Sequence, residues 1–100
     1  MIRHIILWKL KSEIPAEKVP EVKAGIKNAL EALPEVIDGL ISLKVHTEGL
    51  STSTCDLMLE SELRDEAALA EYKDHPAHVA VADGFVRPNV EVRLCLDFEA

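Results

Sequence analysis

The sequence predicts an α+β fold of the ferredoxin-like type, β-α-β-β-α-β, and three observations predict it. Four short segments, 2–10, 40–48, 54–62 and 90–98, are built from the aliphatic, β-branched and alternating residues that suit strands. Two others, 17–33 and a stretch opening near Asp65, repeat their apolar residues at helical spacing. Their order along the chain, with right-handed crossovers, gives a four-stranded antiparallel sheet in the order 4-1-3-2 with both helices on one face. The whole chain, 1–100, is expected to form a single domain, long enough for one core and too short for two.

The first strand, Ile-Arg-His-Ile-Ile-Leu-Trp-Lys-Leu, puts His4, Ile6, Trp8 and Leu10 on one face and Ile5 and Leu7 on the other. Both faces are apolar at mid-strand, as expected of a central strand covered on both sides. From Glu17 to Leu33 the period becomes helical. Val19, Val22, Ile26, Ala29, Leu30 and Leu33 form the inner stripe, and Lys23, Lys27 and their neighbours form a solvated face. Pro20 belongs in the first turn, and Pro34 ends the helix.

The second strand is expected to set Ile41, Leu43 and Val45 against Ser42, Lys44 and His46. After a polar loop, the third sets Cys55, Leu57 and Leu59 against Asp56, Met58 and Glu60. Asp65 suits the N-cap of the second helix, which Pro76 breaks, since its ring disfavours helical geometry at His75. Pro76 is also suited to start a further short helix. The last strand alternates cleanly, with Val90, Val92, Leu94, Leu96 and Phe98 against Glu91, Arg93, Cys95 and Asp97. An intervening strand separates Cys55 from Cys95 by about two strand spacings, roughly 9–10 Å, too far for a disulfide. Both are read as free thiols.

A net charge of −7 with scattered basic residues argues against nucleic acid as a partner. No segment has the run of roughly 18–20 apolar residues that spans a membrane, and no signal peptide is visible. Two cysteines in a chain without an export signal fit a cytoplasmic location. The open sheet face is informative. Two helices cover one side only, yet the last strand offers an apolar stripe on the other. A surface of that kind marks a partner, and the economical partner is a second copy packed face to face, a homodimer.

The corner at 71–88 concentrates two of the four histidines, the only tyrosine and two prolines. Tyr72, His75 and His78 gather at the bend. His78 is suited to general-base work because imidazole titrates near neutrality, and Tyr72 to orienting it or donating to a developing enolate. His4, Ile6 and Trp8, from one face of the first strand, complete the expected pocket together with His75. Each also has a structural reading. His75 and His78 would fix the kink by bonding backbone, Tyr72 and Trp8 would be core residues, and His4 a hydrogen-bonded core histidine. No metal is expected, because His75-x-x-His78 lacks evident third and fourth ligands. Gly-x-Ser-x-Gly, Cys-x-x-Cys and Gly-rich phosphate-loop motifs are absent.

Nearly end to end, the chain resembles the stress-responsive A/B barrel domain family of the dimeric α/β barrel superfamily. The resemblance rests on Ile2–Leu10, on His75-Pro76-Ala77-His78-Val79, and on the closing Leu96-Asp97-Phe98-Glu99. It implies a homodimer whose two sheets close into an α/β barrel. A plant branch looks like a polyketide cyclase, performing an intramolecular aldol condensation without metal or organic cofactor. There a histidine of the His-Pro-x-His element and a tyrosine six residues before it act as base and partner, and a first-strand histidine lies in the pocket. Those roles fall on His78, Tyr72 and His4. One departure is the last strand, where Arg93, Cys95 and Asp97 make one face more polar than a greasy polyketide tunnel.

Two function classes therefore stay open, with a third behind them. The first is cofactor-free acid/base chemistry on a small carbonyl ligand, with His78 as base. The second is a non-catalytic, stress-associated binding and dimerisation module. The third is a cofactor-free or haem-related monooxygenase, as in related branches of the superfamily.

Overall fold

Apolar side chains on both faces of the first strand require cover on both sides, and that strand lies inside the sheet. The computed structural model describes residues 1–100. Strands β1 (Ile2–Leu10), β2 (Leu40–His46), β3 (Leu57–Leu63) and β4 (Val90–Glu99) form one antiparallel sheet ordered β2-β3-β1-β4. The fold is ferredoxin-like, with the expected strand order. On β1 the side chains of Ile2, His4, Ile6, Trp8 and Leu10 are buried beneath the helices, while Ile5 and Leu7 are half-buried on the other side. Directly paired residues share a face. The register therefore sets Asp97, His4 and Ser61 in one row, Cys95, Ile6 and Leu59 in the next, and Arg93, Trp8 and Leu57 in a third.

Helix α1 (Val19–Glu31) begins after a 3-10 turn and has Pro20 in its first turn, where the missing N–H has no helical acceptor to lose. It ends one turn before Pro34, which sits in a second 3-10 turn, Leu33–Glu35. Ile26, Leu30 and Leu33 pack into the core. Helix α2 (Glu66–Asp74) is capped by Asp65, whose carboxylate accepts from the Ala68 N–H at 2.8 Å. His75 breaks the helix in an extended conformation, and Pro76 starts α3 (Pro76–Val81). A π turn, Ala82–Val86, carries the chain towards β4. Seventeen buried apolar residues form one core between the helices and the inner sheet face.

Three local expectations are corrected. Ile41 is exposed, because the β2–β3 register shifts between Leu40 and Ser42. That irregularity reverses the alternation, so Leu40 enters the core in its place. The third strand starts at Leu57, and Cys55 lies before it. Asp56 is held there by its N–H donating to the Trp8 carbonyl and its carboxylate accepting from the Leu10 N–H. Both thiols are free.

The lysines of α1, third, are not simply solvated. Lys23 donates to the Thr47 carbonyl, and Lys27 to Glu31 and to the Val45 carbonyl at 2.9 Å. Glu31 accepts from the Val45 N–H. These contacts occupy backbone groups that edge strand β2 would otherwise present to another strand.

The outer sheet face has no helix over it. Val92, Leu94, Leu96 and Phe98 of β4 are all exposed there, Leu94 and Leu96 by more than half (61% and 64%). No helix of the chain is long and apolar enough to cross a membrane.

Candidate active site

The kink at His75-Pro76 swings α3 and the π turn over the β1–β4 side of the sheet, and the space between is a cavity of about 370 Å³. That is the size of a small-molecule site. His4, Ile6 and Trp8 form its sheet wall, Tyr72 and His78 its corner wall, and Ala82, Val86 and Arg87 its rim beyond the kink. Arg93 reaches it from β4 and Lys73 from the end of α2.

The corner places Tyr72 and His78 ring to ring, with centroids 4.2 Å apart and planes tilted by 35°. Tyr72 also meets the edge of His4, with centroids at 5.8 Å and planes 69° apart. His78 is half-buried, and its Nδ1 lies 3.2 Å from the Lys73 carbonyl oxygen. A carbonyl only accepts, so Nδ1 carries the proton and Nε2 is left with its lone pair. Burial lowers the pKa of His78, and the positive charges of Arg87 and Arg93 act in the same direction against the Lys73 bond. At neutral pH His78 is an uncharged imidazole with one bare nitrogen. Burial pushes the Tyr72 hydroxyl well above its ordinary range, so it remains a proton donor.

His4 is held from the other side. Its Nδ1 donates to the Asp97 carboxylate, which lies directly across β1–β4. Burial lowers the pKa of His4 despite this bond, so His4 too is neutral near pH 7. Asp97 is held below the usual carboxylate range. Burial, the largest single influence, would raise it, but the His4 bond and charge, the Cys95 contact and the Lys73 ammonium, 3.6 Å from Oδ2, together outweigh it. The Cys95 sulfur lies 3.9 Å from His4 Nδ1 and 3.5 Å from Asp97. Burial, then the Asp97 charge, pushes that thiol up, away from the reactive thiolate. His4, Cys95 and Asp97 bring three donor atoms within 4.8 Å of one another, a set able to hold a metal ion. In this arrangement the carboxylate is engaged by His4 and Lys73, which makes the cluster a hydrogen-bonded support for the His4 ring.

The structure brings His4, Ile6, Trp8, Tyr72 and His78 to one cavity. His75 is elsewhere. It caps α3, its Nδ1 accepting from the Ala77 N–H at 3.0 Å, and it does not line the cavity. Its place just before Pro76 sets it at the bend rather than inside it. Sequence reasoning missed Asp97 and Arg93 as site residues. Both stand on the polar face of β4, and pairing β4 with β1 in register would have put them opposite His4 and Trp8.

The sequence matches the stress responsive A/B barrel domain over residues 2–100. No curated protein matches it. Among solved structures, it is similar to a dimeric protein of unknown function and ferredoxin-like fold from Bacteroides fragilis. The two are 31% identical, with TM-score 0.91, over 99% of this chain and 95% of that one. A dimeric ferredoxin-like protein of unknown function from Thermobifida fusca is 27% identical, with TM-score 0.79, over 99% and 90% of the two chains. The hydroxynitrile lyase from Passiflora edulis shares the fold at TM-score 0.71 and 19% identity, over 97% and 90%.

Proposed function

Because the chain belongs to the stress responsive A/B barrel domain family, whose fold does not by itself fix an activity, we propose its function from the site. The proposed activity is cofactor-free acid/base chemistry on a small carbonyl compound, with His78 as general base and Tyr72 as its partner. The observation that carries this reading is the stacked Tyr72–His78 pair on the cavity wall, with the proton of His78 fixed on Nδ1 by the Lys73 carbonyl. In the proposed step, Nε2 takes the proton from the carbon next to the carbonyl. The C–H electron pair moves into a C=C bond as the carbonyl becomes an enolate oxygen. Tyr72, still protonated, donates to that oxygen. His4, held by Asp97, positions the Tyr72 ring from its other edge.

We also propose that the working form is a homodimer built through the outer face of the sheet. The exposed apolar stripe on β4 supports this, as does the dimeric state of the Bacteroides fragilis and Thermobifida fusca proteins. The Passiflora edulis lyase, at 19% identity, contributes the fold and nothing about reaction.

The reaction can be tested without knowing the natural substrate. Exchange of the α-protons of 4-oxo-4-phenylbutanoate for deuterium, followed by NMR in D2O, reads the proposed proton abstraction directly. The wild-type protein is expected to accelerate exchange, and His78→Gln to lose that acceleration by about a hundredfold or more with an unchanged circular dichroism spectrum. Equal exchange by the two proteins would remove His78 as the base.

A further inference from the structure

We infer that the cavity is built for an anionic ligand, a small carbonyl compound that also carries a carboxylate, and that Arg93 is the residue that recognises the charge. The inference rests on the site proposed above and specifies its ligand.

The chain carries a net charge of −7, yet the ionised side chains lining this cavity are Lys73, Arg87 and Arg93, and no carboxylate lines it. Two of the three cations are already neutralised. Lys73 pairs with Asp97 at 3.6 Å, and Arg87 is bonded to Asp83 one helical turn before it. Arg93 has no acidic partner within ion-pair distance. Its charge reaches the whole site, acting on His4, Tyr72 and His78.

A second observation points to the same end of the cavity. Arg93 stands opposite Trp8 across β1–β4 and on the same face. Trp8 is only 4% exposed, and its indole N–H is buried without an acceptor in the protein. A buried donor normally has a partner. The exposed Arg93 guanidinium, bonded to no group of the protein, and the buried Trp8 N–H form a donor set a carboxylate satisfies, with the guanidinium giving a two-pronged bond. Trp8 and His4 lie four residues apart on the same face of β1, with Ile6 between them. The anion would therefore sit at the Trp8–Arg93 end and the reacting carbonyl towards Tyr72 and His78, with Ile6 against the apolar middle of the ligand.

The test compares binding of 4-oxo-4-phenylbutanoate with binding of its uncharged amide, by isothermal titration of the full chain. The acid is expected to bind about tenfold or more tightly, the discrimination of one charge-assisted bond. Arg93→Gln should erase the preference by weakening the acid and leaving the amide within about twofold, and Arg93→Lys should restore part of it. Equal binding of acid and amide to the wild-type chain overturns the inference whether or not any variant folds. Retention of the preference in Arg93→Gln, or no binding of either probe at millimolar concentration, also overturns it. The two readings fail separately. His78→Gln should abolish exchange while keeping the acid-over-amide preference, whereas exchange of both probes with equal affinity would leave the base in place and remove the anion site.

Discussion

At the scale of single residues, the fold keeps the two histidines of the site uncharged near neutrality. His4 and His78 have pKa values below the ordinary 6.5, in both cases chiefly through burial. A depressed value in the folded state means that the unfolded chain takes up protons first as the pH falls. The stability these residues contribute is therefore complete above about 6.5 and is lost as the pH drops through their folded values. The same sign governs turnover, since only neutral His78 is a base. Exchange should hold level at and above neutrality and fall on the acid side. Asp97 opposes the burial of His4 through its hydrogen bond and its charge. Asp97→Asn removes the charge and leaves an amide oxygen that still accepts from Nδ1, so the His4 value should drop further. An NMR titration of the His4 ring reads this directly. An unchanged or raised value would mean that Asp97 does not sustain the imidazolium as the geometry implies.

At the scale of elements, the chain is punctuated by residues with backbone jobs, and their legibility was uneven. Asp65 and Pro76 announce the two ends of α2 because a cap and a broken helix are local events, written within a few residues. The irregularity that turns Ile41 outward is not local. It depends on how β2 registers against β3, which alternation along one strand does not encode. For the same reason the corner histidines could be singled out from the sequence, while Asp97 needed the pairing of β4 with β1. The lysines of α1 were misread because their acceptors are backbone carbonyls at β2 and beyond, invisible to a helical wheel.

Gly39 shows how strict such positions are. Its φ is +85°, in the region L-residues avoid, and an added Cβ would stand 2.7 Å from the Ala68 Cβ. Gly39→Ala should therefore cost about 2–3 kcal/mol in urea denaturation, from left-handed strain plus the overlap with α2. Gly84, with open space where its Cβ would go and no positive φ, supplies the control. Gly84→Ala should be neutral or stabilising by up to about 1 kcal/mol. Equal effects at the two glycines would mean that the turn into β2 relaxes freely.

At the scale of the whole molecule, β4 ties the two proposals together. It is an edge strand whose alternate residues serve different faces. Arg93, Cys95 and Asp97 face the site, while Val92, Leu94, Leu96 and Phe98 face outward. Within one chain nothing covers that outer side, so the strand bearing Arg93 and Asp97 is held mainly by its pairing with β1. A second copy packed on the stripe would fix the strand, and with it the far wall of the cavity. Leu96→Asp tests both roles together. Leu96 lies outside the buried core, so the chain should keep its fold. Two-fold symmetry puts the new charge into the interface twice, and dimerisation should weaken by about a hundredfold or more. Sedimentation at micromolar concentration should give dimer mass for the wild-type chain and monomer mass for the variant. If β4 owes its order to the partner, the monomer should also lose α-proton exchange and the preference for the carboxylate probe. A folded monomer that keeps both would show that the site is complete within one chain, and a wild-type monomer would remove the dimer itself.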